Sequence, residues 1–204
     1  MRRPLILFLA FVVLGTTVRG QLIEAKHLVT SLGGGAGQLT ISQGPDSLRT
    51  ALEACSSVAF AFEVAVNQKL SVGIHYDRIG TDRVDNSVES IRFTTYLIGL
   101  TYRPMNHERA ALETQIAIGP CIMSLLSTGS NLPLKGRSGT IAVGVRYLRS
   151  FSGTMGAFAG VEHTGGASVT VTDYDGKTIE DASGIPLKLD WNSTRFRVGL
   201  FTRF

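Results

Sequence analysis

Ser193 to Phe204 reads STRFRVGLFTRF, and the rest of the chain can be ordered around it. At period two, Phe196, Val198, Leu200, Thr202 and Phe204 fall on one face, and Arg195, Arg197, Gly199, Phe201 and Arg203 on the other. One face is apolar and the other carries three guanidiniums, so this strand separates two unlike environments. Domain termini are usually polar and frayed, yet this one stays apolar to its last residue.

Alternation of the same kind recurs upstream, with no long amphipathic helix between. Lys26 to Gly35 makes a weakly patterned first strand, with Leu28, Thr30 and Leu32 on one face. In the second, Val58, Phe60, Phe62, Val64 and Val66 oppose Ala59, Ala61, Glu63 and Ala65. The third sets Leu70, Val72, Ile74 and Tyr76 against Ser71, Gly73, His75 and Asp77. Tyr96, Ile98, Leu100 and Tyr102 oppose Thr95, Leu97, Gly99, Thr101 and Arg103 in the fourth, which Pro104 is expected to end. The fifth, sixth and seventh strands put Glu113 with Gln115, then Arg146, then Glu162 on the polar side, among Gly and Ala. Past the seventh, Val169 to Thr172 and Lys177 to Ile179 flank Asp175-Gly176, a hairpin signal that extends the strands as a ribbon.

The connections alternate in length. Gln38–Ser56, Gly80–Ser90 and Ser124–Gly139 read as long polar loops, the first with a short helix over Ser47–Cys55 capped by Asp46. Asn67–Lys69, Pro104–Arg109 and Ser150–Gly153 read as short turns. Eight segments of about ten residues with alternating polarity, short turns on one side and long loops on the other, are the pattern of a transmembrane β-barrel.

The closing stretch also resembles the C-terminal signal by which bacterial outer-membrane barrels are recognised for assembly, carried here by Arg197, Gly199, Thr202 and Phe204. Thr202 departs from it, because that position is usually aromatic or aliphatic. Over Lys26 to Phe204 the arrangement resembles the small outer-membrane barrels of the OmpA/OmpX type. The resemblance implies an all-β fold, an eight-stranded antiparallel up-and-down transmembrane β-barrel in the outer membrane of a Gram-negative bacterium. It also implies the barrel-assembly machinery as a partner during biogenesis, and outer-membrane lipids and lipopolysaccharide around the mature protein. It says little about activity, since such barrels share architecture more than function.

The N-terminus agrees. Arg2 and Arg3 precede an unbroken apolar run from Leu5 to Leu14, far short of the ~20 residues a membrane-spanning helix needs. Residues 1–20 read as a cleaved secretory signal peptide, leaving 21–204 as the barrel domain. Cleavage would remove Arg2, Arg3 and Arg19 and no acid, which lowers the formal net charge from +4 to +1. The basic balance is therefore no argument for nucleic acid, and no cationic run interleaved with aromatics suggests a phosphate-backbone groove.

An eight-stranded barrel is just wide enough for side chains to fill. Buried charges there must pair. Glu63, His75, Asp77, Glu113, Arg146, Glu162, Arg195 and Arg197 are accordingly expected to form a lumen charge network that plugs the barrel. His75, Asp77, Glu162 and His163 invite a hydrolytic reading, but no nucleophile stands at diagnostic spacing. Asp173, Asp175, Glu180 and Asp181 could offer oxygens to Ca²⁺, but D-x-D-G places its glycine at the fourth position where an EF-hand needs it at the sixth. Solvated turn acids are the simpler reading, and no cofactor or metal site is expected. The run GGGAG at Gly33–Gly37 lacks the lysine and helix of a phosphate loop and reads as a flexible strand end. Cys55 and Cys121 permit one disulfide in an exported chain; they lie on strands that are not neighbours, which leaves the pairing open. Trp191 reads as an interfacial aromatic or a loop contact.

These features point to a non-enzymatic, monomeric integral outer-membrane protein with a structural or adhesive role, whose external loops meet a surface or host ligand. Two alternatives remain: a lipid A-modifying outer-membrane enzyme, and a soluble secreted barrel with an apolar ligand inside.

Overall fold

The computed structural model describes residues 28–43, 54–82, 88–107, 109–129, 132–181 and 183–204. The expected signal peptide, residues 1–20, and nearly all of the helix expected over Ser47–Cys55 lie outside them. Among the described residues the elements are β1 Leu28–Gln43, β2 Cys55–Ala65, β3 Leu70–Asp82, β4 Val88–His107, β5 Ala110–Ser127, β6 Leu134–Ser150, β7 Met155–Gly166, β8 Val169–Thr172 and β9 Lys188–Arg203. Each neighbouring pair is antiparallel, in the order β1 through β7 and then β9, and β9 pairs back on β1. The sheet is closed. β8 continues the line of β7, pairing with β6 on one side and β9 on the other, so nine strands make eight staves.

Closure runs from Gln43↔Asp190 to Val29↔Arg203. Leu28 and Phe204 complete the seam by exchanging both backbone hydrogen bonds, at 3.1 and 2.9 Å. The short turns hold themselves: Asn67 Oδ1 accepts from the amides of Lys69 and Leu70, at 2.8 and 2.9 Å, and Ser152 Oγ accepts from Met155 at 2.9 Å.

Outward positions form a belt of exposed Val, Ile, Leu, Phe and Tyr around the barrel, Ile118 being 66% and Ile98 62% exposed. Only hydrocarbon makes so continuous an apolar surface favourable. No described helix is long and apolar enough to cross a membrane, which has no bearing on a barrel.

Four sequence expectations need correction, for related reasons. β4 runs through Pro104 because the register shifts between Tyr102 and Met105, and at that bulge a missing N–H costs no ladder bond. The GGGAG run is the middle of β1 and no strand end. The supposed long loops at Gly80–Ser90 and Ser124–Gly139 are mostly strand, since β3 reaches Asp82, β4 starts at Val88, β5 reaches Ser127 and β6 starts at Leu134. In these extensions the outward side chains are polar, including Arg92, Ser124, Lys135 and Arg137, while the inward ones are apolar. Leu39, Ile41, Ile79, Ile91, Phe93, Met123, Leu125, Leu189 and Trp191 pack there into one core. Trp191, fourth, is neither interfacial nor a loop contact; it stacks on Phe93 inside the barrel with ring centroids 4.2 Å apart. Apart from the register shifts in β1 and β4, side-chain parity is kept along each strand. What changes is the solvent outside the wall, so the same barrel is polar-in within the belt and apolar-in above it.

Candidate functional site: the barrel interior

Below the apolar core, the inward positions of seven staves, all but β1, converge as two charge quartets. In the lower one, Arg103 donates from Nε to Glu113 Oε1 at 2.6 Å and from Nη1 to Ser71 Oγ at 2.8 Å. Arg146 bridges Glu113 and Glu63 through close charged hydrogen bonds, and Arg103 Nη2 stands 3.9 Å from Glu63 Oε2. In the upper quartet Arg195 donates to Asp77, to Glu162 Oε1 at 2.6 Å and to Thr164 Oγ1 at 2.7 Å, and Arg197 donates to the other Glu162 oxygen. Four carboxylates meet four guanidiniums, so the interior is charge-balanced. Arg195 is 1% exposed and Glu113 fully buried.

The staves place these groups by register. Glu113 stands opposite Arg146 on β5 and β6, and Glu162 opposite Arg195 on β7 and β9. Room for such long side chains comes from the glycines beside them. A Cβ on Gly35 would meet Arg197 Cγ at 2.8 Å, one on Gly37 would sit 2.6 Å from Arg195 Cα, and one on Gly73 would meet Glu63 Cγ at 2.7 Å. The GGGAG run is thus where β1 yields space to the arginines of β9 across the seam.

Of the eight residues expected in the network, seven form these pairs. His75 does not pair with a carboxylate; its Nδ1 lies 3.2 Å from Gln115 Nε2. Arg103 is the member that sequence reasoning passed over, although its parity on the fourth strand already pointed it inward. A void of about 20 Å³ beside Gln115, Arg146, Glu162 and Arg197 is room for a single water.

His163 stands on the outer face, hydrogen-bonded to Thr194 at 2.8 Å, and is separated by the wall from His75, Asp77 and Glu162. Asp173 and Asp181 cap external turns: Asp173 Oδ1 accepts from Lys177 at 2.8 Å, and Asp181 Oδ1 from Ser183 and Ile185 at 2.8 and 3.0 Å. Gly176, at φ +86°, makes the turn that Asp175-Gly176 announces.

The disulfide left open by the sequence is absent: Cys55 and Cys121 are free, buried thiols. β2 and β5 are separated by two staves, and Cys55 Sγ faces Ser193 Oγ at 3.6 Å. At the C-terminus, Arg197 pairs inside, Gly199 packs where a Cβ would lie 2.2 Å from Leu32 O, and Phe204 is exposed. The unusual Thr202 has a partner of its own, Thr30, whose hydroxyl lies 2.6 Å away across the closing seam.

No protein-family model and no curated protein matches the chain. Solved structures do. The neisserial surface protein A is similar at TM-score 0.61 and 11% identity, over 87% of this chain and 96% of that one. The outer membrane protein OprG of Pseudomonas aeruginosa follows at TM-score 0.52 and 10% identity, over 88% and 96%. The N-terminal β-barrel domain of OprF from the same organism gives TM-score 0.50 and 9% identity, over 88% and 98%. At such identities the likeness concerns the fold alone.

Proposed function

From the premise that this chain has the fold of the small eight-stranded outer-membrane barrels, we propose that it is a non-enzymatic, monomeric outer-membrane protein. On this reading its lumen is closed and its working surface is external. The observation that carries this is how the interior is filled. Two balanced quartets occupy the belt, and an apolar core with Phe93 stacked on Trp191 closes the barrel above them. Apart from His75, whose contact is Gln115, the interior carboxylates and guanidiniums hold one another, and among the described residues no hydroxyl is hydrogen-bonded to His75.

Above the belt the staves stand out as a rigid stub. Its outward Arg78, Arg92, Lys135 and Arg137 lie on β3, β4 and β6, the first and last among them just above the aromatic pair Tyr76 and Tyr96 and the belt residue Ile141. At that depth cations suit the phosphates of lipopolysaccharide, and the turns beyond them suit contact with a host or neighbouring surface. Phe204 and its seam with Leu28 are the part offered to the assembly machinery.

The test compares a deletion strain with its complemented parent. The protein is expected in the outer-membrane fraction with heat-modifiable migration, attachment to host or neighbouring surfaces should fall on deletion, and the lipid A mass spectrum should not change. Recovery from the culture supernatant without detergent would sink the membrane reading, and an altered lipid A would replace the adhesive one with an enzyme. The closed lumen is checked separately: the purified protein should leave a planar bilayer silent.

A further inference from the structure

We infer that the outer wall just above the apolar belt, across β3 to β6, carries a binding site for a membrane glycolipid with two phosphates on its headgroup. This deepens the outer-membrane reading above and rests on it.

Register builds the site. One row of outward residues runs Arg78, Thr94, Ile122, Arg137 across β3, β4, β5 and β6, and the row above it runs Gly80, Arg92, Ser124, Lys135 across the same staves. Arg78 and Arg92 are therefore diagonal neighbours on adjacent strands, ~7–8 Å apart. Lys135 and Arg137 are successive outward residues of one strand, about 7 Å apart. The result is two cation pairs, one on each side of β5, all four residues exposed. With strands ~4.8 Å apart, the two spacings from Arg92 to Lys135 set the pairs about 10 Å from each other. Ile122 and the hydroxyls of Thr94 and Ser124 stand between them, and the two rows hold no acid across these staves.

Gly80 completes the first pair. A Cβ on it would meet Arg92 Cγ at 2.9 Å, so the glycine lets the Arg92 stem lie over β3, the stave that carries Arg78. The carboxylate that Arg92 meets is Asp82, at 3.2 Å, in a pair 45% and 74% exposed; such an open bridge contributes little and yields to a better anion. Lys135 Nζ lies over the ring of Tyr174, 5.1 Å from its centroid. Arg78 and Arg137 have neither a carboxylate nor a ring partner among the described residues.

Depth decides the occupant. Arg78 follows Tyr76 by two residues on β3 and Thr94 precedes Tyr96 by two on β4, so the lower row stands about 7 Å along the strands above that aromatic pair. Barrel aromatics mark the interface between hydrocarbon and headgroups, and cations just beyond it attract anions fixed in the membrane plane. Guanidinium donors suit phosphate oxygens. One phosphate satisfies one pair, whereas a headgroup with a phosphate at each end engages both and lays its sugar over Thr94, Ile122 and Ser124.

The full protein is reconstituted in phosphatidylcholine vesicles doped with bis-phosphoryl, monophosphoryl or fully dephosphorylated lipid A, and native mass spectrometry after release into detergent counts the glycolipid retained. Heat-modifiable migration of the same samples reports insertion, which separates failure of the membrane reading from failure of the site. Retention should fall in the order bis-phosphoryl, monophosphoryl, dephosphorylated. Neither inorganic pyrophosphate nor a sulfated polysaccharide, at matched anion concentration, should displace the lipid. Arg78→Gln combined with Arg137→Gln should lower retention of the bis-phosphoryl form roughly ten- to thirtyfold while the protein remains heat-modifiable. Lys188→Gln removes a cation of the same row, beyond Thr170 on β9 and next to the outward Asp190, and should leave retention nearly unchanged. Four results in the inserted protein would overturn the site: equal retention of the bis- and monophosphoryl forms, displacement by either soluble anion, no loss in the double variant, or an equal loss from Lys188→Gln.

Discussion

Arg195 ties three interior side chains together, contacting Asp77, Glu162 and Thr164 while almost completely buried. Arg195→Met would leave Asp77 without its cation, and removing one partner of a buried pair typically costs ~3–5 kcal/mol. Urea unfolding of the vesicle-inserted barrel should show a loss of that size. Replacing all four residues of the lower quartet, Glu63, Arg103, Glu113 and Arg146, by apolar residues of similar volume should cost far less than any one of them alone, since no charge is then stranded. The cysteines give a sharper check. With both thiols free and buried, a maleimide should label neither in the folded barrel and both after denaturation without reductant; absence of labelling in the denatured chain would restore the disulfide. Arg103 was legible in principle, because it shares the inward parity of Thr101 and Gly99. Its pairing was not, because Glu113 is the partner only once β4 and β5 are laid side by side.

Among the elements, the extensions of β3 to β6 separate what alternation can say from what it cannot. Ile79, Ile91, Phe93, Met123 and Leu125 keep the inward parity of the charged residues further down their strands, yet they are apolar. Read against lipid, polar outward residues such as Arg92 and Lys135 look like loops. In water they belong to an ordinary strand whose other face needs an apolar partner. That partner is the core closed by Phe93 and Trp191. Phe93→Ala should cost ~3–5 kcal/mol and abolish the near-ultraviolet circular dichroism of Trp191. The damage should stay above the belt, so added protease should cut the external strands while the membrane portion keeps its heat-modifiable migration. Cleavage within the belt residues would contradict this division.

For the whole molecule, closure is the decisive property. A sheet of alternating polarity can serve a soluble barrel or a membrane one, and the seam β1 to β9 removes free edges in either case. The exposed belt selects the membrane, because a contiguous apolar surface encircling a barrel has no stable arrangement in water. The interior then follows from size: eight staves leave space for side chains and little else. The glycines of β1, facing Arg195 and Arg197, show how narrow that space is.

The sequence by itself determined the number of staves, their faces and the identity of nearly every buried charge, because a period of two is a local property that each strand carries in its own residues. The bulge at Pro104, the apolar core above the belt, the unpaired thiols, the place of Thr202 beside Thr30 and the broken seventh stave above Trp191 were decided only by tertiary structure. Each depends on register between strands distant in the chain, and on where along the barrel axis the surrounding medium changes from lipid to water. Neither quantity is written in any single strand.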